Sequence, residues 1–145
     1  MRRSATECDN AQGIQASTRG IHVARTRAVP PWDLIERTRC FALAVLKFCR
    51  QLPSTSEAQE AARQLRRSAT SARSNYRAAR KSRSRAAFRS KLQIAFEEAD
   101  ECVDWLEYLK EGCIQEDAAL LQEAKEIASI LATAVRTAHR NSKDD

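Results

Sequence analysis

Between Pro53 and Gly112 the chain contains neither glycine nor proline, the two residues that most readily turn or stop a backbone. Folds rich in β-structure need turn residues every few positions, so a stretch this long without them reads as helix. The rest of the composition agrees: 145 residues hold three Gly and three Pro, and charged residues make up 30%. That length suits one domain with a core of its own, plus a tail.

Spacing at 100° per residue predicts four helices. The first runs from about Asp33, a good N-cap, to Leu52, where Pro53 ends it. Its stripe is Leu34, Phe41, Val45, Phe48 and Leu52. Arg37 falls on the same stripe, where a guanidinium needs a carboxylate from another helix or subunit, and Glu98 is the expected partner. The second helix, capped by Ser54 or Ser56, continues to about Ser82. It hides Ala58, Ala61, Ala62, Leu65, Ala69, Ala72, Tyr76 and Ala79. Gln64, Ser68, Ser71, Asn75 and Ala78 form a slim flank that lets another helix come close. The break falls at residues 82–85, with Ser84 capping a third helix that runs to about Glu111 and stops at Gly112. Phe88, Leu92, Ala95, Ala99, Val103 and Leu106 form its core stripe, while Ile94, Glu98, Glu101, Trp105 and Tyr108 face elsewhere. A fourth helix spans about Glu116 to Ala138 on Leu120, Ala124, Ile127, Leu131, Val135 and Ala138. Short turns between four helices favour an antiparallel up-down-up-down bundle over residues 32–139. Residues 1–31, basic and without periodicity, read as a disordered tail, and residues 140–145 as a frayed C-terminus.

Charge is sharply divided. From Ala61 to Phe96 there is no acid, and the next thirty residues carry eleven acids from Glu97 to Glu126. The second helix thus presents a cationic wall spanning about 140° of its circumference. With a net charge of +6, this favours a polyanionic partner. Arg66, Arg67, Arg73, Arg77, Arg80, Lys81, Arg83, Arg85 and Arg89 are the candidate phosphate contacts. The competing reading is a solvated face partly paired with the acidic third helix. No zinc knuckle, helix-turn-helix or RNA-recognition signature is present, so any binding should follow shape and charge rather than base sequence. Arg2, Arg3, Arg19, Arg25 and Arg27 of the tail can add to it, or the tail can be an inert extension.

Other chemistry finds little footing. The histidines, His22 and His139, have no credible Ser or Cys partner, and no glycine-rich phosphate loop exists. Glu98 and Glu101 lack the Glu-x-x-His motifs of a di-metal bundle. No catalysis, metal or cofactor is expected. Five Cys without CxxC spacing read as small buried hydrophobes in a reducing cytosol. No apolar run is long enough to span a membrane, and the alanine-rich face of the basic helix suits packing better than lipid insertion.

Taken together, DLIERTRCFALAVLKFCRQLP, QLRRSATSARSNYRAA, KLQIAFEEADECVDWLEYL and LLQEAKEIASIL resemble the four-helix bundle proteins encoded in intervening sequences of bacterial 23S rRNA genes. The most specific part is Gln64, Leu65, Arg67 to Ser71, Asn75 and Tyr76. The resemblance covers about Trp32 to Ala138 and implies a ring-like homopentamer. It also implies kinship with the accessory variability proteins of diversity-generating retroelements, which bind nucleic acid and associate with a reverse transcriptase. Ala78 and Ala87 stand where the family commonly has acids, and Asp104 where it commonly has an aromatic residue.

The reading that results is a cytoplasmic, non-catalytic homo-oligomer that binds RNA or DNA, with a reverse transcriptase as a candidate partner. The alternative is a protein-protein adaptor ring that binds no nucleic acid. Arg37, Asn75, Ile94, Glu98, Trp105 and Tyr108 are the expected contacts between subunits.

Overall fold

A computed structural model describes residues 33–141; the tail expected at residues 1–31 and the last four residues lie outside the described part. Four helices and no strand are found among the described residues: α1 Leu34–Cys49, α2 Ser56–Arg80, α3 Arg85–Glu111 and α4 Ala118–Arg140. They form a four-helix bundle in cyclic order. Each helix packs on its neighbours in sequence, α1 closes against α4, and no backbone Cα approaches within 8 Å across either diagonal, α1 to α3 or α2 to α4.

Each start is fixed by a side chain that satisfies a backbone N–H left over at a helix end. Asp33, Thr55, Ser84 and Asp117 accept from Glu36, Ala58, Ala87 and Leu120 respectively. Several ends differ from expectation. Thr55, not Ser54 or Ser56, caps α2. The first helix stops at Cys49, with Gln51 and Leu52 held in a tight turn by bonds to Phe48 and Cys49, so Leu52 stays buried without being helical. At the end of α3, Gly112 has an ordinary negative φ and the left-handed residue is Cys113, at φ 53°. The fourth helix runs to Arg140, two residues past Ala138.

The four predicted stripes meet in one core. Phe88, Val103, Tyr76, Val135 and Ala138 are only half-buried at its edge, while Cys102, Leu109, Leu121 and Ala128 join the interior. Each helix touches two neighbours, so the hidden face is wider than a single stripe. The contact between α2 and α3 is the most extensive. Ser68, fully buried on the slim flank of α2, donates to the Gln64 carbonyl at 3.0 Å and also lies against Glu101 of α3. That internal satisfaction lets two backbones approach without stranding a hydroxyl.

The buried cysteines are packing groups. Burial raises the pKa of Cys49 and, far more, that of Cys102, which disfavours the reactive thiolate. The two cannot be bridged, because no Cα of α1 lies within 8 Å of one in α3 and a disulfide needs about 4.4–6.8 Å.

Arg37 finds its carboxylates on α4, not on Glu98. Its Nε donates to Glu123 at 2.7 Å, one terminal nitrogen donates to Glu123 at 2.8 Å, and the same nitrogen reaches Glu126. Replacing Arg37 by Met is expected to cost about 2 kcal/mol in urea unfolding. That lies below the 3–5 kcal/mol of a fully buried pair because the Glu126 side chain is 49% exposed. A loss under about 0.5 kcal/mol, the usual range of a neutral surface change, would show that the seam does not depend on this pair.

Candidate nucleic-acid interface

The cationic wall is built by one helix and extended by the turn that follows it. α2 and α3 form an antiparallel hairpin: Arg67 meets Glu101 midway, and Ala79 meets Phe88 near the turn. On α2, the spacing of Arg66, Arg73, Arg77 and Arg80 places all four within an arc of about 60°. This arc lies on the α1 side, since Arg66 approaches Cys49 and Arg73 acts on Glu36 of α1. Arg66 and Arg73 are accordingly half-buried, whereas Arg77 and Arg80 are exposed. Beyond the helix end come Lys81, Arg83 and Arg85, all exposed, and half-buried Arg89 one turn into α3.

Charge balance separates these residues into two groups. Arg67, on the other edge of the wall, is held by α3, 3.1 Å from Glu101 and 3.6 Å from Glu98. Its guanidinium is therefore already engaged by carboxylates. Arg66, Arg73, Arg77, Arg80, Lys81, Arg83 and Arg89 make no ion pair among the described residues. Arg63, just before the wall, is paired with Glu60 one turn away at 2.6 Å.

Two shallow recesses mark the surface. One is lined by Arg67, Thr70, Ser71, Arg73, Ser74 and Arg77. There the Thr70 and Ser74 hydroxyls donate to backbone carbonyls one turn earlier, while Ser71 accepts from Asn75, so the guanidinium groups and the Ser71 hydroxyl are the donors that face an anion. The other lies at the turn, among Arg80, Ser82, Arg83, Ser84, Arg85 and Phe88. It opens beside the first turn of α3, which holds no acid. The positive end of a 27-residue helix and the basic side chains there add in the same direction.

The residues expected between subunits fall into several settings. Asn75 donates to the Ser71 carbonyl at 3.0 Å within its own helix, and Ile94 is half-buried. Glu98 sits on α3 with one oxygen, Oε2, buried and without a hydrogen-bond partner. Trp105 rests partly on the core and donates its indole N–H to Glu101 at 3.2 Å. Burial pushes the pKa of Glu101 up, but the Trp105 indole, the Ser68 hydroxyl and the Arg67 guanidinium together outweigh it and hold it below the usual carboxylate range. Tyr108 is 49% exposed and stands edge-on to Trp105, ring centres 5.6 Å apart. Ile35, Leu43 and Ile130 are exposed apolar side chains on α1 and α4 that the periodicity did not single out.

Among the described residues no cluster of His, Cys, Asp and Glu could hold a metal ion, and no helix is long and apolar enough to cross a membrane.

With this geometry in place, comparison with known proteins is informative. The family model described as 23S rRNA-intervening sequence protein matches residues 32–133. A crystal structure of a protein with unknown function from the S23 ribosomal protein family, from Bacteroides thetaiotaomicron, aligns with a TM-score of 0.65 and 28% identity. The alignment covers 70% of this chain and 97% of that one. No curated protein matches the chain.

Proposed function

The chain belongs to the family of 23S rRNA-intervening sequence proteins, and from that premise we propose that it is a non-catalytic, homo-oligomeric protein that binds nucleic acid without reading base sequence. The observation that carries this is the stripe Arg66, Arg73, Arg77 and Arg80, continued by Lys81, Arg83 and Arg89, with no ion pair among the described residues. A cationic surface left unneutralised in a protein with acids to spare is a surface kept for an external anion. Its two half-buried aromatics, Tyr76 and Phe88, pack against the core and offer no stacking platform for unpaired bases. Contacts would then run from guanidinium to phosphate, which suits duplexes and leaves base identity unread. In this reading the chain is an up-down-up-down bundle, because connections of a few residues between long helices place sequence neighbours antiparallel. Copies assemble as a ring-like pentamer, so that the walls repeat as a basic belt, and a reverse transcriptase is the candidate protein partner.

The test is a salt-titrated gel shift on RNA and DNA duplexes. If about five phosphates are neutralised per contact, log affinity falls against log salt with a slope of roughly −4 to −5. Absence of any shift at low salt removes the reading. The adaptor alternative, favoured by exposed Tyr108, would then stand.

A further inference from the structure

The end of the α2–α3 hairpin opposite the basic turn carries the reverse charge. A recess there is walled by Glu57 and Glu60 at the start of α2 and by Asp104, Trp105, Tyr108 and Glu111 near the end of α3. Glu60 is neutralised by Arg63. Glu57, Asp104 and Glu111 make no ion pair among the described residues. Three uncompensated carboxylates beside an edge-on aromatic pair, with Tyr108 half in solvent, match one chemistry well. A guanidinium can lie over the rings while its N–H groups meet the carboxylates.

Such a group is close at hand in this chain. From Asn10 to Trp32 the sequence carries Arg19, Arg25 and Arg27 and no acid. It is repelled by the cationic wall and complementary to the recess. It also reaches. Asp33 acts on Tyr76 and Arg73 acts on Glu36, so α1 begins level with residues 73–76 of α2. The recess at Glu57 to Ala61 is then about 20–25 Å away along the helix axis. Extended chain covers about 3.3 Å per residue, which puts Arg25 within roughly 26 Å of Asp33 and Arg19 within roughly 46 Å.

We propose that this acid-and-aromatic recess docks the arginine-bearing N-terminal segment of the same chain, with Arg25 or Arg19 seated between the carboxylates and the Trp105–Tyr108 pair. The inference does not rest on nucleic-acid binding by the wall. It is tested on the full chain by limited trypsin digestion at low salt, with fragments identified by mass and cleavage after Arg3 as an internal reference.

Cleavage after Arg19 and Arg25 is expected to be about tenfold slower in the native protein than in Glu57→Gln/Asp104→Asn/Glu111→Gln, because proteolysis tracks the undocked population. The difference should vanish in 1 M NaCl. Circular dichroism confirms that the variant is folded, and the salt comparison on unaltered protein stands without the variant. Equal rates in both proteins, or protection indifferent to salt, overturn the proposal. Protection that fades on dilution assigns the segment to a second copy and overturns docking within one chain.

Discussion

Reversing Arg73, Arg77 and Arg80 to Glu is expected to weaken duplex binding by about 10²–10³-fold near 0.1 M salt, some 3–4 kcal/mol. The three lie within one narrow arc of α2 and make no ion pair among the described residues, and Glu36, the carboxylate on which Arg73 acts, is still held by Arg39, so the change removes direct contacts without orphaning an internal partner. Each lost phosphate contact should also take about one unit off the salt slope, leaving it near −2. The same gel shift measures both. A variant that keeps the native slope would place the interface somewhere other than this wall.

Arg67→Glu provides the contrast. Its guanidinium is held by Glu98 and Glu101, so reversal there sets three carboxylates together and perturbs the fold as well as the surface. The two sites have nearly the same sequence environment, basic positions in the stretch from Ala61 to Phe96 that holds no acid. Only the location of α3 separates them.

That difference shows how far the sequence can be read. Helix starts at Asp33 and Ser84 were legible because one residue at each site had both the side chain and the position to cap. Three consecutive hydroxyls, Ser54, Thr55 and Ser56, made the α2 start ambiguous by a residue, and the choice of Thr55 rests on which backbone bend feeds the packed helix. The alanine face of α2 and its slim flank were equally plain, since 3.6-residue periodicity is local. Partner choice was not. Arg37 visibly needed a carboxylate, yet whether α3 or α4 supplied it depended on closure of α1 against α4, which no spacing within α1 encodes. Likewise Leu121 and Ala128 lie one position off the α4 stripe, and became interior only because two neighbours flank each helix.

The largest effect on stability should come from Leu65→Ala. In the 25 residues of α2 Leu65 is the one large aliphatic side chain; the other buried positions are alanines and Ser68. Leu65 is fully buried, in a core with Leu92, Leu109, Ile127 and Leu131 at 0–1% exposure. An alanine-lined helix has no longer side chain with which to fill the gap, and close α2–α3 packing limits how far the backbones can slide inward. Both the lost transfer energy and the residual cavity then count, for about 3–5 kcal/mol, against total stabilities of roughly 5–15 kcal/mol for domains. Urea unfolding followed by far-ultraviolet dichroism reads the midpoint, and an unchanged slope would confirm that the folded state is still compact. Leu43→Ala on α1, where the side chain is 42% exposed, should cost less than about 1 kcal/mol. If the two variants unfold at similar urea concentrations, α2 is not anchored through this single leucine, and the alanine face must be holding the hairpin by backbone proximity alone.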